Sequence, residues 1–182
     1  MTTAAPTGSS GTTKYCDHAA VGVLISSPAG LLVFERVRPP AGIAPVAGHV
    51  DQHGGPEQAA RNEVAEEVGL TVTSLHLETT VWRPNRCRRL TSDRVGHYWS
   101  VYRAEVSGHI QPSAQEVRSP RWLSPDQLQQ HALRTSRYAE GQLSEDQFTA
   151  DPGLEPVWVR FLHDLELVTL PNDSLNLIEK VL

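Results

Sequence analysis

Residues 47–70 have the sequence AGHVDQHGGPEQAARNEVAEEVGL, the most informative stretch of the chain. Pro56 suits the first position of a helix, because an amide hydrogen there would find no partner within the helix. Small and aliphatic residues recur at every fourth position over residues 57–68, which predicts a helix with one buried side. Gly69 suits the left-handed backbone that ends many helices. The stretch therefore predicts a turn that leads into an amphipathic helix.

Three glutamates, Glu63, Glu66 and Glu67, lie on this predicted helix. At about 100° per residue their side chains fall within an arc of roughly 100°. Like charges at this spacing destabilise a helix by about 0.2–0.5 kcal/mol per pair. A divalent cation among the carboxylates would offset that repulsion, and Mg²⁺ prefers oxygen ligands of this kind. The alternative interpretation is a solvated acidic helix face.

The spacing of the stretch resembles the Nudix box, the family pattern G-x5-E-x7-R-E-U-x-E-E-x-G-U, in which U is aliphatic. Strands are predicted before the box, and Trp122 followed by a capped helix comes after it, as in the family. The resemblance extends over about residues 17–133. The matching residues are Gly48, Glu63, Val64, Glu66, Glu67, Gly69 and Leu70.

Two positions depart from the family pattern. Gly54 stands where the family has its first glutamate, and Asn62 stands where the family has an arginine. In the family these two residues support the loop and orient the helix carboxylates. Groups that orient metal ligands typically change affinity or rate by ~10–100-fold. The resemblance therefore predicts a degenerate box that keeps its metal-binding acids.

The resemblance implies a Nudix-type α/β/α sandwich with a mixed sheet, plus a C-terminal helix. It also implies hydrolysis of a pyrophosphate bond in a nucleoside diphosphate-linked compound or a nucleoside triphosphate. Mg²⁺ is the expected cofactor and Mn²⁺ a substitute. Gly54 and Asn62 motivate an alternative, a Nudix-fold module that binds a ligand with little or no turnover. A related reaction on a non-nucleotide diphosphate is a third interpretation.

The resemblance also assigns roles to individual residues. Glu63, Glu66, Glu67 and the carbonyl of Ala47 match the metal ligands of the family. Glu63 and Glu66 are catalytic candidates through that metal, and Glu63 also matches the residue that positions the attacking water. Glu116, in a later loop, is a candidate for the general base or for a further metal contact. The alternative interpretation of Glu116 is an ordinary loop acid.

An arginine-rich segment follows between residues 83 and 94. Arginine binds phosphate through planar, bidentate hydrogen bonds. Arg86, Arg88 and Arg89 are therefore candidate substrate-binding residues, and a solvated hairpin loop is the alternative. Specificity is expected to lie in this segment and in residues 134–152.

Other groups give weaker signals. His49, Asp51 and His53 alternate, so they would share one side of an extended chain and could bind a transition metal, although they also occupy the variable part of the box loop. Cys16 and Cys87 are far apart in the sequence, and no disulfide or zinc site is expected of them. The aromatic residues at positions 98, 99 and 102 could stack a base, but a core role is favoured.

The composition bounds the remaining possibilities. A chain of 182 residues with a net charge of −5 predicts one globular domain, here residues 14–170, and argues against nucleic-acid binding. Residues 1–13 are expected to form a disordered tail without a signal peptide, and residues 171–182 a C-terminal extension. No apolar run is long enough to span a membrane. A cytoplasmic location and a homodimer are further expectations.

Hydrophobic patterns and turn residues predict the remaining elements. After a capping box at Ser124 a helix is expected to about residue 133, followed by a long surface loop over residues 134–152. A C-terminal helix is expected over Pro156–Val168. Strands are predicted at Asp17–Ile25, Leu31–Val37, Ile43–Val50, Leu70–Trp82, Val95–Val106 and Pro120–Leu123.

Overall fold

The computed structural model describes residues 15–37, 41–87, 89 and 95–181. The tail expected at residues 1–13 lies outside the described residues. Within them the chain forms a sheet that is covered by helices on both faces. The strands are β1 (Ala19–Ser27), β2 (Gly30–Arg36), β3 (Ile43–Ala44), β4 (Val46–His49), β5 (Thr71–Arg83), β6 (His97–Ser107) and β7 (Val117–Leu123).

The sheet is mixed. Its main path runs β3-β2-β1-β6-β5, while β4 pairs with the first half of β1 and β7 pairs with β2. β1 and β6 are parallel, and the other strand pairs are antiparallel. The β1–β6 pair joins strands far apart in the sequence, and this pairing makes the centre of the sheet.

Helices cover both faces of this sheet, and the expected α/β sandwich is confirmed. The first helix packs on one face with β4, whereas three later helices share a core with the other face. The first helix continues into a π-helical turn over Val64–Val68. The helices are α1 (Pro56–Glu63), α2 (Pro125–Ala139), α3 (Glu145–Ala150), α4 (Pro156–Asp164) and α5 (Asn172–Ile178).

Alternation along β1 divides the core into two clusters. Val21 and Val23 face α1, while Ala20 and Leu24 face α4 and α5. Both sides of β1 are apolar because both are covered, which explains its continuous hydrophobic run. On the α4 side, Trp158 packs so close to β1 that only glycine fits at position 22, which faces it.

The long loop expected over residues 134–152 is wrong. α2 continues to Ala139, and α3 follows with its own capping box, in which the Ser144 hydroxyl accepts from the Gln147 N–H. The polar inner side of α2 hides its periodicity, since the buried Thr135 hydroxyl donates to the carbonyl of Leu154 at 2.6 Å. The Ser-x-x-Gln pattern at 144–147 was the available signal for α3.

The C-terminal part of the chain also differs in detail. α4 ends at Asp164 rather than at Val168. Beyond it, α5 places Leu175 and Ile178 in the same core cluster as α2 and α4. Among the residues that the structure describes, no helix combines the length and apolar character needed to cross a membrane.

Gly22→Ala tests the close packing of α4 on β1. A Cβ at residue 22 would lie 2.3 Å from the Cη2 atom of Trp158, a fully buried side chain. Overpacking of this kind typically costs 1–3 kcal/mol, so about that loss in the free energy of unfolding is expected in urea titrations.

Trp158→Phe provides the matched partner for this variant. It leaves a cavity and destabilises alone, but it removes the atoms that residue 22 would strike. The double variant should be more stable than the sum of the single effects predicts, with a coupling of ~0.5–3 kcal/mol. Additive effects would show that the contact does not limit the packing.

Candidate active site

We name α1 together with its π-helical turn, residues 56–68, the acidic helix. Two glutamates from the end of this helix lie against the backbone of β4. The N–H of Ala47 donates to the Glu67 carboxylate at 3.1 Å, and Glu67 is buried. Glu63 lies over Gly48, where an added Cβ would come within 1.8 Å of its carboxylate oxygen. The first glycine of the box is therefore needed to let Glu63 approach the strand.

Ala47 offers a free backbone edge to these acids. In an antiparallel ladder, opposite residues alternate between pairs that exchange hydrogen bonds and pairs that do not. The N–H of Val50 donates to the carbonyl of Ala19, so residues 19 and 50 form a bonded pair. By the same alternation, Gly22 and Ala47 exchange no hydrogen bonds. The N–H and C=O of Ala47 therefore both point away from β1. The N–H meets Glu67, and the carbonyl faces the same side.

The acids have strongly perturbed proton affinities. Burial raises the pKa of Glu63 to about 7, with the charges of Glu66 and Glu116 adding to the rise. Burial also raises the pKa of Glu67 well above its usual range, and the charge of Glu63 raises it further. Raised carboxyl pKa values in a cluster of like charges are typical of functional sites.

Arg36 provides positive charge next to these carboxylates. Its guanidinium acts on both Glu63 and Glu67, but it is also paired with the buried carboxylate of Glu155 at 3.4 Å. The charge of Glu155 is the main cause of the raised pKa of Arg36. The positive charge of Arg36 is therefore shared among Glu63, Glu67 and Glu155.

Glu116 and Glu66 complete the acidic group from two directions. The loop after β6 docks on the end of the acidic helix, where Ser113 donates its N–H to the carbonyl of Glu67 at 2.9 Å. This docking brings the charge of Glu116 within range of Glu63. Glu66 is exposed on the helix, and its charge also acts on Glu63.

The two departures from the box lie in a neutral hydrogen-bond network. The Asn62 amide donates to Nδ1 of His53 at 2.9 Å and accepts from Gln58 at 2.9 Å. Gly54 has a φ of 86°, a left-handed conformation that a glutamate would adopt only with strain. His53 and Asn62 therefore join the loop to the helix without a charged pair.

The arginine-rich segment divides among different contacts. Arg86 is exposed and lines a cavity of about 210 Å³ between α2, α3 and α4. Arg89 instead pairs with Asp51 through both terminal guanidinium nitrogens. Arg88 lies outside the described residues. Of the candidates in this segment, Arg86 is placed beside a cavity.

The cavity contains residues that the sequence analysis missed. Tyr138 and Phe148 line it and stack on each other, with ring centroids 4.4 Å apart. Glu155, the partner of Arg36, lines it as well. Tyr138 and Phe148 belong to the segment that was expected to be a loop, so only the capping box at Ser144 could have indicated their placement.

The alternating residues at 49, 51 and 53 do not form a joint metal site. His49 faces Cys87, Asp51 pairs with Arg89, and His53 bonds to Asn62. The two cysteines, which are far apart in the sequence, come close together in the fold, and each sulfur atom lies near a histidine nitrogen.

The aromatic residues of β6 serve mainly in the core. Trp99 and Tyr102 are buried on opposite faces of the sheet. Tyr98 is 54% exposed. The favoured core role therefore describes two of the three residues.

Comparison with known proteins identifies the family. The NUDIX domain family matches residues 17–146. The chain belongs to the Nudix family. A comparison with curated protein sequences gives no significant match.

Solved Nudix structures share the fold of this chain. A MutT protein from Methanosarcina mazei Go1 is similar with a TM-score of 0.57 and 14% identity, covering 84% of this chain and 95% of that chain. A hydrolase of the NUDIX family from Clostridium perfringens is similar with a TM-score of 0.51 and 22% identity, covering 62% and 85% respectively. At these identities the similarity supports the fold alone.

Glu63→Gln tests the strain of the acidic site. The folded-state pKa of about 7 lies above the ordinary value of 4.5, so folding favours the protonated carboxyl. Stability is therefore lost as pH rises through that interval, and the loss is complete above pH 7. The interval between 4.5 and about 7 corresponds to roughly 3 kcal/mol. In EDTA at pH 8, the variant should therefore melt ~6–12 °C above wild type, at roughly 2–4 °C per kcal/mol.

The gain should shrink towards pH 5, where the wild-type carboxyl is mostly protonated as well. Glu57→Gln is the matched control, since Glu57 is exposed on the first turn of the same helix. A Glu63→Gln variant that melts with the wild type at both pH values would contradict the burial argument.

Proposed function

We propose that this Nudix protein hydrolyses a pyrophosphate bond in a nucleoside diphosphate-linked compound or a nucleoside triphosphate, with Mg²⁺ as cofactor. The observation that carries the proposal is the pair of carboxylates held side by side at β4. Family membership supports a hydrolase, and the chemistry of the acids supports the metal.

The charge balance of the acidic site favours a bound cation. Burying two carboxylates together is costly unless positive charge compensates them. Arg36 acts on both, but Glu155 engages it already. A divalent cation would supply the missing charge and would favour the ionised forms of Glu63 and Glu67.

The donor set fits Mg²⁺, with Mn²⁺ as a substitute. Glu63, Glu67, Glu66 and the carbonyl of Ala47 are all oxygen ligands, which hard divalent cations prefer. A cation held there would neutralise phosphate charge and lower the pKa of an attacking water.

The protein groups around this position have separate tasks. Glu63 orients the attacking water and can accept its proton as an ionised carboxylate, the form that a bound cation would favour. Glu116 is the second candidate to accept that proton, because its loop docks on the same helix end. Arg36 holds Glu67 and Glu155 in place by charge.

The cavity beside Arg86 is the proposed substrate site. Glu155 lines the cavity, and its carboxylate pairs with Arg36, whose charge also acts on Glu63 and Glu67. Arg86 would bind phosphate oxygens, and the apolar walls at Tyr138 and Phe148 would contact the less polar part of the substrate. Homodimer formation, a cytoplasmic location and the absence of nucleic-acid binding remain predictions.

Glu67→Gln is the first test. The amide keeps the shape but loses the charge, so Mg²⁺ should no longer raise the melting temperature by mass action. Activity should fall at least ~100-fold in kcat/KM, about 2.7 kcal/mol in transition-state stabilisation. Differential scanning fluorimetry and phosphate-release assays with and without Mg²⁺ provide the two measurements.

The assay panel contains nucleoside triphosphates, nucleotide sugars, ADP-ribose and dinucleoside polyphosphates. Glu57→Gln should keep both the Mg²⁺ shift and the activity. A wild type that binds Mg²⁺ and a panel compound without turning it over would instead favour the ligand-binding module. Activity unchanged by Glu67→Gln would refute the proposed metal site.

Arg86→Ala tests the substrate site separately. A charge-assisted hydrogen bond to phosphate contributes about 1.5–3 kcal/mol, so KM should rise roughly tenfold or more while kcat changes less. Arg103→Ala is the control, since Arg103 pairs with Glu78 across strands β5 and β6. Equal kinetics for the two variants would favour the alternative interpretation, in which Arg86 is a solvated loop residue without a role in substrate binding.

A further inference from the structure

Four side chains from separate parts of the chain meet beside the start of β6. They are Cys16, His49, Cys87 and His97, which we name the Cys/His cluster. One ligand atom from each lies within 4.8 Å of all the others. The cluster contains both cysteines of the chain.

The spacing within the cluster approaches that of a tetrahedral metal centre. With metal bonds of about 2.0–2.3 Å, neighbouring nitrogen and sulfur ligands lie roughly 3.3–3.8 Å apart. Nε2 of His97 lies 3.2 Å from the sulfur of Cys16, and Nε2 of His49 lies 3.4 Å from the sulfur of Cys87. Small shifts would therefore admit an ion.

The tautomer of His97 is fixed by groups behind it. The indole N–H of Trp99 can only donate, and it donates to Oδ1 of Asn85 at 3.3 Å. The same oxygen lies 2.7 Å from Nδ1 of His97, so Nδ1 must carry the hydrogen. In the neutral ring this leaves Nε2 with a free lone pair directed at the cluster, the arrangement that orients histidine ligands in zinc sites.

Both sulfur atoms accept backbone hydrogen bonds. The N–H of His18 donates to Cys16, and the N–H of Arg89 donates to Cys87, each from two residues further along the chain. His18 adopts a left-handed φ of 55° in this turn, an uncommon conformation for a residue other than glycine. Such donors stabilise the thiolate, which is the form that binds metal, and they oppose the burial that raises the pKa of the Cys16 thiol.

We propose that the Cys/His cluster binds one structural zinc ion. Two thiolates and two neutral imidazoles are a ligand set that Zn²⁺ takes in closed tetrahedral sites. Two thiolates also balance the charge of the ion, so the centre is neutral where it is partly buried. The site is separate from the acidic group, whose oxygen ligands suit Mg²⁺ rather than zinc.

Bound zinc would fasten the arginine-rich segment to the sheet. Cys87 lies next to Arg86, and the other ligands come from the segment before β1, the end of β4 and the start of β6. The four ligands are far apart in the sequence. A metal bridge that closes long loops is expected to stabilise the folded chain more than a bridge between sequence neighbours, because it restricts the unfolded chain more. Zinc removal should therefore lower the melting temperature of the whole chain.

Metal content of the full chain, purified under reducing conditions, is the direct test. Elemental analysis should find about one zinc per chain, and Cys87→Ser and His49→Asn should each weaken zinc binding ~100-fold or more. Co²⁺ in the same site should show the visible bands of tetrahedral coordination and a thiolate charge-transfer band. Cys87→Ser should lose that charge-transfer intensity.

Asn85 offers a graded pair of variants. Asn85→Asp keeps an oxygen for His97 and Trp99 and should retain zinc, whereas Asn85→Leu removes it and should weaken binding ~10–100-fold. His109→Asn, at an exposed histidine outside the cluster, should change nothing. Glu67→Gln should keep its zinc, so a failure of the proposed hydrolase site stays distinct from a failure here.

Three results would overturn the zinc proposal. The first is a reduced wild type that takes up no zinc on reconstitution. The second is a Cys16–Cys87 disulfide, found by mass spectrometry, with no metal bound. The third is undiminished zinc binding when Cys87→Ser and His49→Asn are combined, with circular dichroism showing that the double variant is folded.

Discussion

The approach of two carboxylates to the backbone of β4 is the constraint on which the rest of the site depends. Glu63 reaches the strand only because residue 48 has no side chain. Glu67 is held by the N–H of Ala47, which is available because this residue exchanges no hydrogen bonds with β1. The loop after β6 then docks on the end of the same helix and brings Glu116 to the acids.

Local patterns in the sequence predict the elements that hold these acids. Pro56 at the helix start and Gly69 at its end act within one or two turns, and Gly69 has the expected left-handed φ of 70°. Spacing along one helix also fixes which glutamates are neighbours. The π-helical last turn was not predicted, and it lies where the helix end contacts β4 and the loop after β6, two segments that are distant in the sequence from each other.

Contacts between distant parts of the sequence account for what could not be predicted. The pairing of Arg36 with Glu155 joins β2 to α4, and neither residue stands in a recognisable motif. The inner side of α2 carries the buried Thr135, so hydrophobic periodicity stops before the helix does. The two cysteines looked isolated because only the sheet topology brings them to one place.

β4 connects the acidic site with the Cys/His cluster. Successive residues of a strand face opposite sides of the sheet, so Gly48 lies under Glu63 on the α1 side while His49 joins the cluster on the other. The register of β4 on β1, with His49 opposite Ala20, fixes both placements at once. A slip by one residue would put the histidine under Glu63 and remove a ligand from the cluster. Contacts that hold His49 on its side of β4 therefore also keep Gly48 under Glu63, where the absence of a side chain lets the carboxylate approach the strand.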